Sequence, residues 1–190
     1  FQKQYGHSGK AQGYLDSRGV SADIRERFGI GYAPDGFNAL RDALGTDERR
    51  MRLLERAGLF SKNDSGRVYD KFRDRVMFPI HDRRGRTIAF GGRVLDPEDS
   101  PKYLNSPETP IYSTSRTLYG LNASKSAIRK LGYAVMVEGY FDFAQVFQSQ
   151  AAPVVASCGT ALTQSQAQLL RRFTTRIVLS FDPDAAGKGA

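Results

Sequence analysis

The sequence predicts an α/β chain in two parts, a mixed α+β basic N-terminal subdomain over residues 1–118 and a parallel-sheet βαβαβ domain over residues 119–190. Three observations carry that expectation. Short amphipathic helical patterns occupy the first third, and a pair of alternating apolar runs joined by a turn follows. Three further apolar runs, separated by helix-length segments with short connections, then imply parallel strands.

From about Ser8 to Arg56 the pattern is helical. Ala11, Tyr14 and Leu15 share one face, Gly19 is a stop, and Ser21 caps a helix that presents Ile24 and Phe28. GIGYAP is a short extended break before helices at 37–44 and 47–56. Val76, Phe78 and Ile80 then alternate, DRRG turns the chain, and Ile88 and Phe90 alternate back, as in a β-hairpin. In the last third YAVMV, PVVAS and RIVLSF read as strands. The segment 141–150 is one intervening helix, with Phe143 and Phe147 on a common face. A second begins at the capping box Thr163–Gln166 and carries Leu169, Leu170 and Phe173 on one stripe.

Right-handed crossovers put the C-terminal ends of parallel strands on one sheet edge, where open α/β sheets bind their ligands. Glu138 directly follows the first of these strands, and Asp182 and Asp184 follow the third. If those strands are neighbours, the three carboxylates converge on one or two hard cations, and an all-oxygen set favours Mg²⁺ or Mn²⁺ over zinc. The alternative is that the acids cap the helices that follow. Asp142 and Asp184 fit either reading; Glu138, behind an apolar strand and before Gly139, fits the metal reading better.

Composition points to a polyanionic partner: 28 Lys and Arg stand against 20 Asp and Glu, a net charge of +8. Between Arg67 and Arg93 there are eight basic residues and three acidic ones; Arg83, Arg84 and Arg86, at the turn, read as a solvated face. Cys158 is the only cysteine, so no internal disulfide and no zinc spacing exist, which suggests a cytosolic compartment. Cys158 itself reads as a small buried residue, and His7 and His81 stand alone. No apolar stretch is long enough to cross a bilayer and no signal peptide is present. AAGKGA at 185–190 reads as the start of another helix, so a piece of a longer protein is expected.

Two segments near the hairpin carry further signal. FGGR, Phe90 to Arg93, reads as a strand end whose paired glycines admit a phosphate or sugar while Arg93 forks onto it, or else as a β-bulge with a surface arginine. PKYLNSPET, Pro101 to Thr109, reads as a polar loop. It offers Lys102 to a nucleic-acid backbone and Tyr103 to a base, or is an ordinary Pro-bounded connection.

RFGIGYAP, FRDRVMFPIHDRRGRTIAFGGRVL, PKYLNSPET, TLYGL, VEGYFD, SCGT and FDPDAAG together resemble the RNA polymerase core of bacterial DnaG-type primases over nearly the whole chain. VEGYFD and FDPDAAG alone are similar to the wider Toprim fold of topoisomerases, nucleases and recombination mediators; MFPI, FGGR and PKYLNSPET make the match primase-like. The resemblance implies a basic N-terminal subdomain on a Toprim domain truncated at its C-terminus. Glu138, Asp182 and Asp184 would then be the metal-binding and catalytic acids. Arg27, Arg93, Lys102, Tyr103 and Asn105 would face nucleic acid or incoming nucleotide. It further implies a Mg²⁺- or Mn²⁺-dependent enzyme of the bacterial cytoplasm that makes RNA primers on single-stranded DNA from ribonucleoside triphosphates. A zinc module would precede Phe1, and a helicase-binding tail would follow Ala190. Thr114 departs from the family lysine, an anion contact that Arg116 could replace. The rivals are another Toprim phosphodiester enzyme, a nuclease or topoisomerase, and a non-catalytic DNA-binding fragment.

Overall fold

Serine caps set the first helices. In the computed structural model, which describes residues 1–159 and 161–181, α1 (Gln2–Gly6) is a short helix with no fully buried residue, and its Tyr5 packs half-buried against the main core. Helix α2 (Gly9–Ser17) starts where the Ser8 hydroxyl accepts from Ala11 N–H, and α3 (Ala22–Arg27) starts where Ser21 accepts from Ile24 N–H. Ala11 and Leu15 of α2 and Ile24 of α3, with Phe28 just beyond, form the buried face the spacing predicts. Strand β1 (Gly31–Ala33) follows, then α4 (Ala39–Leu44) and α5 (Glu48–Arg56), the latter capped by Asp47.

A small hairpin, β2 (Phe60–Lys62) and β3 (Val68–Asp70), went unpredicted although NDSG supplies its turn. The Asn63 carboxamide oxygen accepts from the Ser65 hydroxyl and from Arg67 N–H, so one side chain closes the turn across its full width. The expected hairpin is β4 (Arg75–His81) and β5 (Thr87–Val94), antiparallel, within the sheet order β1-β4-β5-β6. Its alternation, however, does not separate buried from exposed residues: β4 is buried from Arg75 to Ile80. Val76, Phe78 and Ile80 face the main core, while Met77 faces a second, smaller core with Ala33, Leu59 and Phe72, so a central strand covered on both sides has no solvent face. PKYLNSPET is likewise not all loop: Tyr103–Asn105 form β6, which pairs with Gly91–Arg93.

After a 3₁₀ turn at Thr114–Arg116, α6 (Leu121–Leu131) precedes the predicted parallel unit. That unit is β7 (Ala134–Val137), α7 (Tyr140–Ser149), β8 (Val154–Ala156), α8 (Gln164–Arg171) and β9 (Ile177–Leu179). The sheet order is β8-β7-β9 with both pairings parallel, so β7 and β9 are neighbours as the convergence argument requires. The Thr163–Gln166 capping box is present in both directions. Helices α6 and α8 cover one face of this sheet through Leu121, Ile128 and Leu170 against Ala134, Met136 and Val155. On the other face, α7 joins the N-terminal helices and the first sheet in one core.

That shared core explains the paired glycines. FGGR lies inside β5 rather than at its end, and a Cβ built on Gly91 would overlap the Tyr140 phenol oxygen. At Gly92 it would press on Arg75, Phe72 and Met77. The space beside the glycines therefore holds protein side chains, which corrects the expectation that it admits a phosphate. Tyr140 stacks on Phe78 with ring centroids 4.7 Å apart and meets Tyr119 edge-on at 4.9 Å.

Two outcomes follow from this packing. Gly91→Ala forces the Tyr140 ring out of its stack and destabilises the chain by about 3 kcal/mol, a fall of roughly 5–10 °C in melting temperature by calorimetry. At the β4–β5 turn, Asp82 accepts from Arg84 N–H, Arg86 N–H and the Arg86 guanidinium, around Gly85 at φ +84°. The Arg86 N–H bond first, and then that guanidinium, hold its carboxyl down at about 2 against burial, from an ordinary 3.8. A lowered folded value makes the turn's contribution complete above the ordinary carboxylate range and lost as pH falls through about 2. The Asp82 carboxyl ¹³C shift should therefore titrate near pH 2, and Arg86→Ala, which removes the guanidinium but keeps both N–H donors, should raise that midpoint only part of the way to the ordinary value.

Candidate active-site edge

Strand β7 ends at Val137 and α7 begins at Tyr140, so Glu138 and Gly139 form the whole connection at the C-terminal edge of the second sheet. Glu138 is half-buried there. Asp142 at this edge is a capping residue: its carboxylate accepts from Gly139 N–H at 3.0 Å, in the first turn of α7 where the helix dipole favours an anion. Strand β9 runs parallel to β7, and Ser180 N–H donates to the Met136 carbonyl at 2.8 Å, which brings the chain to the Glu138 end of the sheet at Phe181. Asp182 and Asp184 lie outside the described residues. Among the described residues no three His, Cys, Asp or Glu side chains form a metal-holding group.

A chain of hydrogen bonds ties this edge to β6. The Tyr140 hydroxyl donates to the Asn105 carboxamide oxygen at 2.7 Å, and the Asn105 amide donates to the Cys158 carbonyl at 2.8 Å. Cys158 N–H in turn donates to the Glu138 carbonyl at 2.8 Å. Asn105 thus spends its carbonyl and one amide hydrogen inside the protein, holding the β8–α8 loop and the Glu138 connection to the first sheet. Cys158 is buried with its thiol free, and burial pushes both that thiol and the Tyr140 hydroxyl well up, so both are neutral.

Beside this chain sits a basic cluster. Arg93 is buried, 7 % exposed, and held on three sides: its Nε donates to the Tyr14 hydroxyl at 3.0 Å, its Nη1 donates to the Lys102 carbonyl at 3.3 Å, and its guanidinium lies 5.0 Å from the Tyr103 ring centre. Tyr103 also tilts against Tyr140 at 6.3 Å. Burial pushes the Tyr103 hydroxyl up to about 12 although 39 % of the residue is exposed, so its ring meets Arg93 as a neutral phenol. Lys102 is exposed at the start of the same segment. Arg93, Tyr103 and Asn105 are thus brought together on β5 and β6, with Lys102 at the start of the same segment, and Asn105 ties them to the Glu138 connection through Cys158.

Arg27 is not part of that group. It packs on Phe147 at 4.8 Å, six residues along α7 from Phe141 and so about 9 Å from its first turn. The arginine that α2 delivers to the edge is Arg18, which the sequence reading passed over. Its guanidinium lies 5.3 Å from the Phe141 ring and donates to the Tyr14 hydroxyl at 3.3 Å. The available signal was its place four residues after Tyr14 on one helical face. Thr114 donates its N–H to Glu108 at 2.7 Å and its carbonyl accepts from Gln166, while Arg116 lines a separate open groove with His81, Arg83 and Arg172.

Residues 1–125 match the family described as DNA primase catalytic core, N-terminal domain, and residues 132–190 match the Toprim domain. The chain belongs to the DNA primase catalytic-core family. It is 44 % identical to the DNA primase of Legionella pneumophila over all of this chain and 33 % of that protein, and 46 % identical to that of Escherichia coli K12 over 95 % of this chain and 31 % of that one. The chain therefore spans about a third of the length of the curated relatives it matches. Among solved structures it superposes on a DnaG primase catalytic domain bound to single-stranded DNA with a TM-score of 0.90 at 42 % identity, covering 100 % of this chain and 62 % of that one. It also superposes on the RNA polymerase domain of Mycobacterium tuberculosis primase, in complex with double-stranded DNA carrying a 6-nucleotide overhang, with a TM-score of 0.87 at 34 % identity, covering 98 % and 61 %. The expected mixed fold, with its Toprim-like parallel sheet, is the fold of this family.

The hydrogen-bond chain yields a test. Asn105→Leu strands the buried Tyr140 hydroxyl and the Cys158 carbonyl without partners, which costs about 2–4 kcal/mol. The urea midpoint of unfolding should fall accordingly, while Asn105→Gln, one methylene too long, should recover little of the loss.

Proposed function

We propose that this chain is the part of a bacterial primase that holds template and nucleotide against a metal-dependent nucleotidyl-transfer site. The full-length protein then makes short RNA primers on single-stranded DNA during replication. The observation that carries this reading is the link from Glu138 through Cys158, Asn105 and Tyr140 to the Arg93 segment. It joins the Glu138 connection to the strand that pairs with the Arg93 segment, which supports a reading in which a carboxylate edge and a nearly buried arginine serve one site. A triphosphate needs cationic and N–H donors around its oxygens, and a primer 3′ hydroxyl needs an acidic edge in line with it.

In this reading Arg93 and Arg18 bind phosphate oxygens, Lys102 pairs with the nucleic-acid backbone, and Tyr103 offers a stacking surface. Glu138, with Asp182 and Asp184, would hold one or two Mg²⁺ or Mn²⁺ ions. The oxygen chemistry of Glu138, its half-buried place at the strand tip and the side-chain-free Gly139 beside it fit a hard cation. Such ions, when bound, neutralise triphosphate charge and lower the pKa of the attacking hydroxyl. Arg27, on the far side of α7, is kept as a longer-range contact to nucleic acid.

Ribonucleoside triphosphates, the RNA primer, a zinc module and a replicative helicase engaged through another region belong to the same proposal, as does a cytoplasmic site at the replication fork. Among the described residues no helix is long and apolar enough to cross a membrane. The division after Leu118 also belongs to it, since Tyr119 bridges Ala156 of β8 and so continues the second sheet.

In the full-length protein, Glu138→Gln and Asp182→Asn should each lower primer synthesis on single-stranded DNA by at least about a hundredfold without loss of DNA binding. Wild-type rates from both would overturn the reading. Cleavage of labelled DNA without added nucleotides would favour a nuclease.

A further inference from the structure

We infer that Tyr14 is a positioning residue for the phosphate-binding arginines, a role that rests on the function proposed above. A phenol oxygen has two lone pairs and one hydrogen. Here both lone pairs face cations, since Arg93 Nε donates at 3.0 Å and Arg18 Nη2 donates at 3.3 Å. The two guanidinium groups come from different elements, β5 and the end of α2, and this one hydroxyl fixes their separation at two hydrogen bonds. The phenol hydrogen is left to donate to an anion bridging the pair.

The neutrality of the anchor is the decisive point. Among the described residues neither Arg18 nor Arg93 is in an ion pair. Asp142 lies within electrostatic reach of Tyr103 along with both arginines, and its carboxylate accepts from Gly139 N–H and forms no ion pair with either arginine among the described residues. A carboxylate at position 14 would orient the arginines equally well but would cancel the charge that an oligophosphate needs. A phenol orients them and leaves the positive potential intact. Tyr14 is itself set by its ring, which packs edge-on to Phe141 at 6.1 Å in the first turn of α7, next to Glu138.

The test uses the full-length protein, with inorganic triphosphate as a probe in titration calorimetry and ribonucleotide KM and kcat in primer synthesis. Tyr14→Phe keeps the ring and removes the acceptor. It should weaken triphosphate binding and raise KM by about tenfold, with a smaller change in kcat, because the lost bonds are to charged donors. In a background that lacks both arginines, Arg18→Ala with Arg93→Ala, the same substitution should add little, the signature of residues acting as a unit. Arg93→Lys, which keeps the charge but has no Nε to meet Tyr14, should lose affinity to a similar extent and serves as the second variant if Tyr14→Phe folds poorly. Wild-type triphosphate affinity in either single variant, or a further full loss from Tyr14→Phe when both arginines are already absent, would overturn the inference. A wild-type protein that makes no primer would instead overturn the functional reading, and the triphosphate comparison would still decide the role of Tyr14.

Discussion

The fit of the Tyr140 ring over Gly91 is the contact on which the rest of the molecule depends. Two sheets of different construction, one antiparallel and one parallel, meet where the first residue of α7 lies on the middle of β5. Because β5 has no side chain at that point, Tyr140 comes down flat on Phe78, and its hydroxyl reaches Asn105. The position of Glu138 follows from that one docking, since only Glu138 and Gly139 separate Tyr140 from the end of β7. A protein interior packed to crystal-like density passes such a constraint on without slack. The two domains consequently share a core, with Phe28 of the N-terminal helices meeting Phe143 at 5.1 Å and Phe147 at 5.0 Å.

The second half of the fold was the more legible in the sequence. Its strands are short apolar runs with helix-length segments between them, and the Thr163–Gln166 box marks a helix start by the hydrogen bonds it makes. Helix α6 escaped notice because Gly120 caps it without a side-chain bond and only a few of its residues are buried. Strand β6 was hidden for a different reason. Three residues held by backbone pairing to β5 need no apolar alternation, and Ser106, just past the strand, pairs with Phe90 through both its N–H and its hydroxyl. The paired glycines were correctly singled out and wrongly explained. A sequence shows that something comes close to a glycine, and only the fold shows that the visitor is a tyrosine from the other domain.

Of the expected acids, Glu138 stands at the sheet edge where the sequence puts it, Asp182 and Asp184 fall outside the described residues, and the bases were only partly legible. Glu138 announces itself by standing at the end of an apolar run, where nothing in strand chemistry asks for a carboxylate. Arg93 and Arg27 look alike as letters, yet one is buried among neutral acceptors and the other rests exposed on Phe147. Burying a guanidinium without a carboxylate beside it costs several kcal/mol that hydrogen bonds to neutral oxygens offset only in part. A fold retains that cost where positive potential at a fixed place has a use. The +8 charge of the chain describes affinity for polyanions in general, whereas Arg93 is one fixed point of positive potential, the point that the proposed function uses for an anion.

Cys158 follows from the same seam and gives it a clock. This single cysteine lies beneath the junction of the two sheets, its carbonyl tied to Asn105 and its thiol proton held firmly by burial. Cys158 is only 7 % exposed, so a thiol-specific reagent reaches it chiefly when its surroundings open, and the rate of labelling counts those openings. Under conditions where reclosing outruns reaction, that rate converts directly into the free energy of opening, read from the native protein without denaturant.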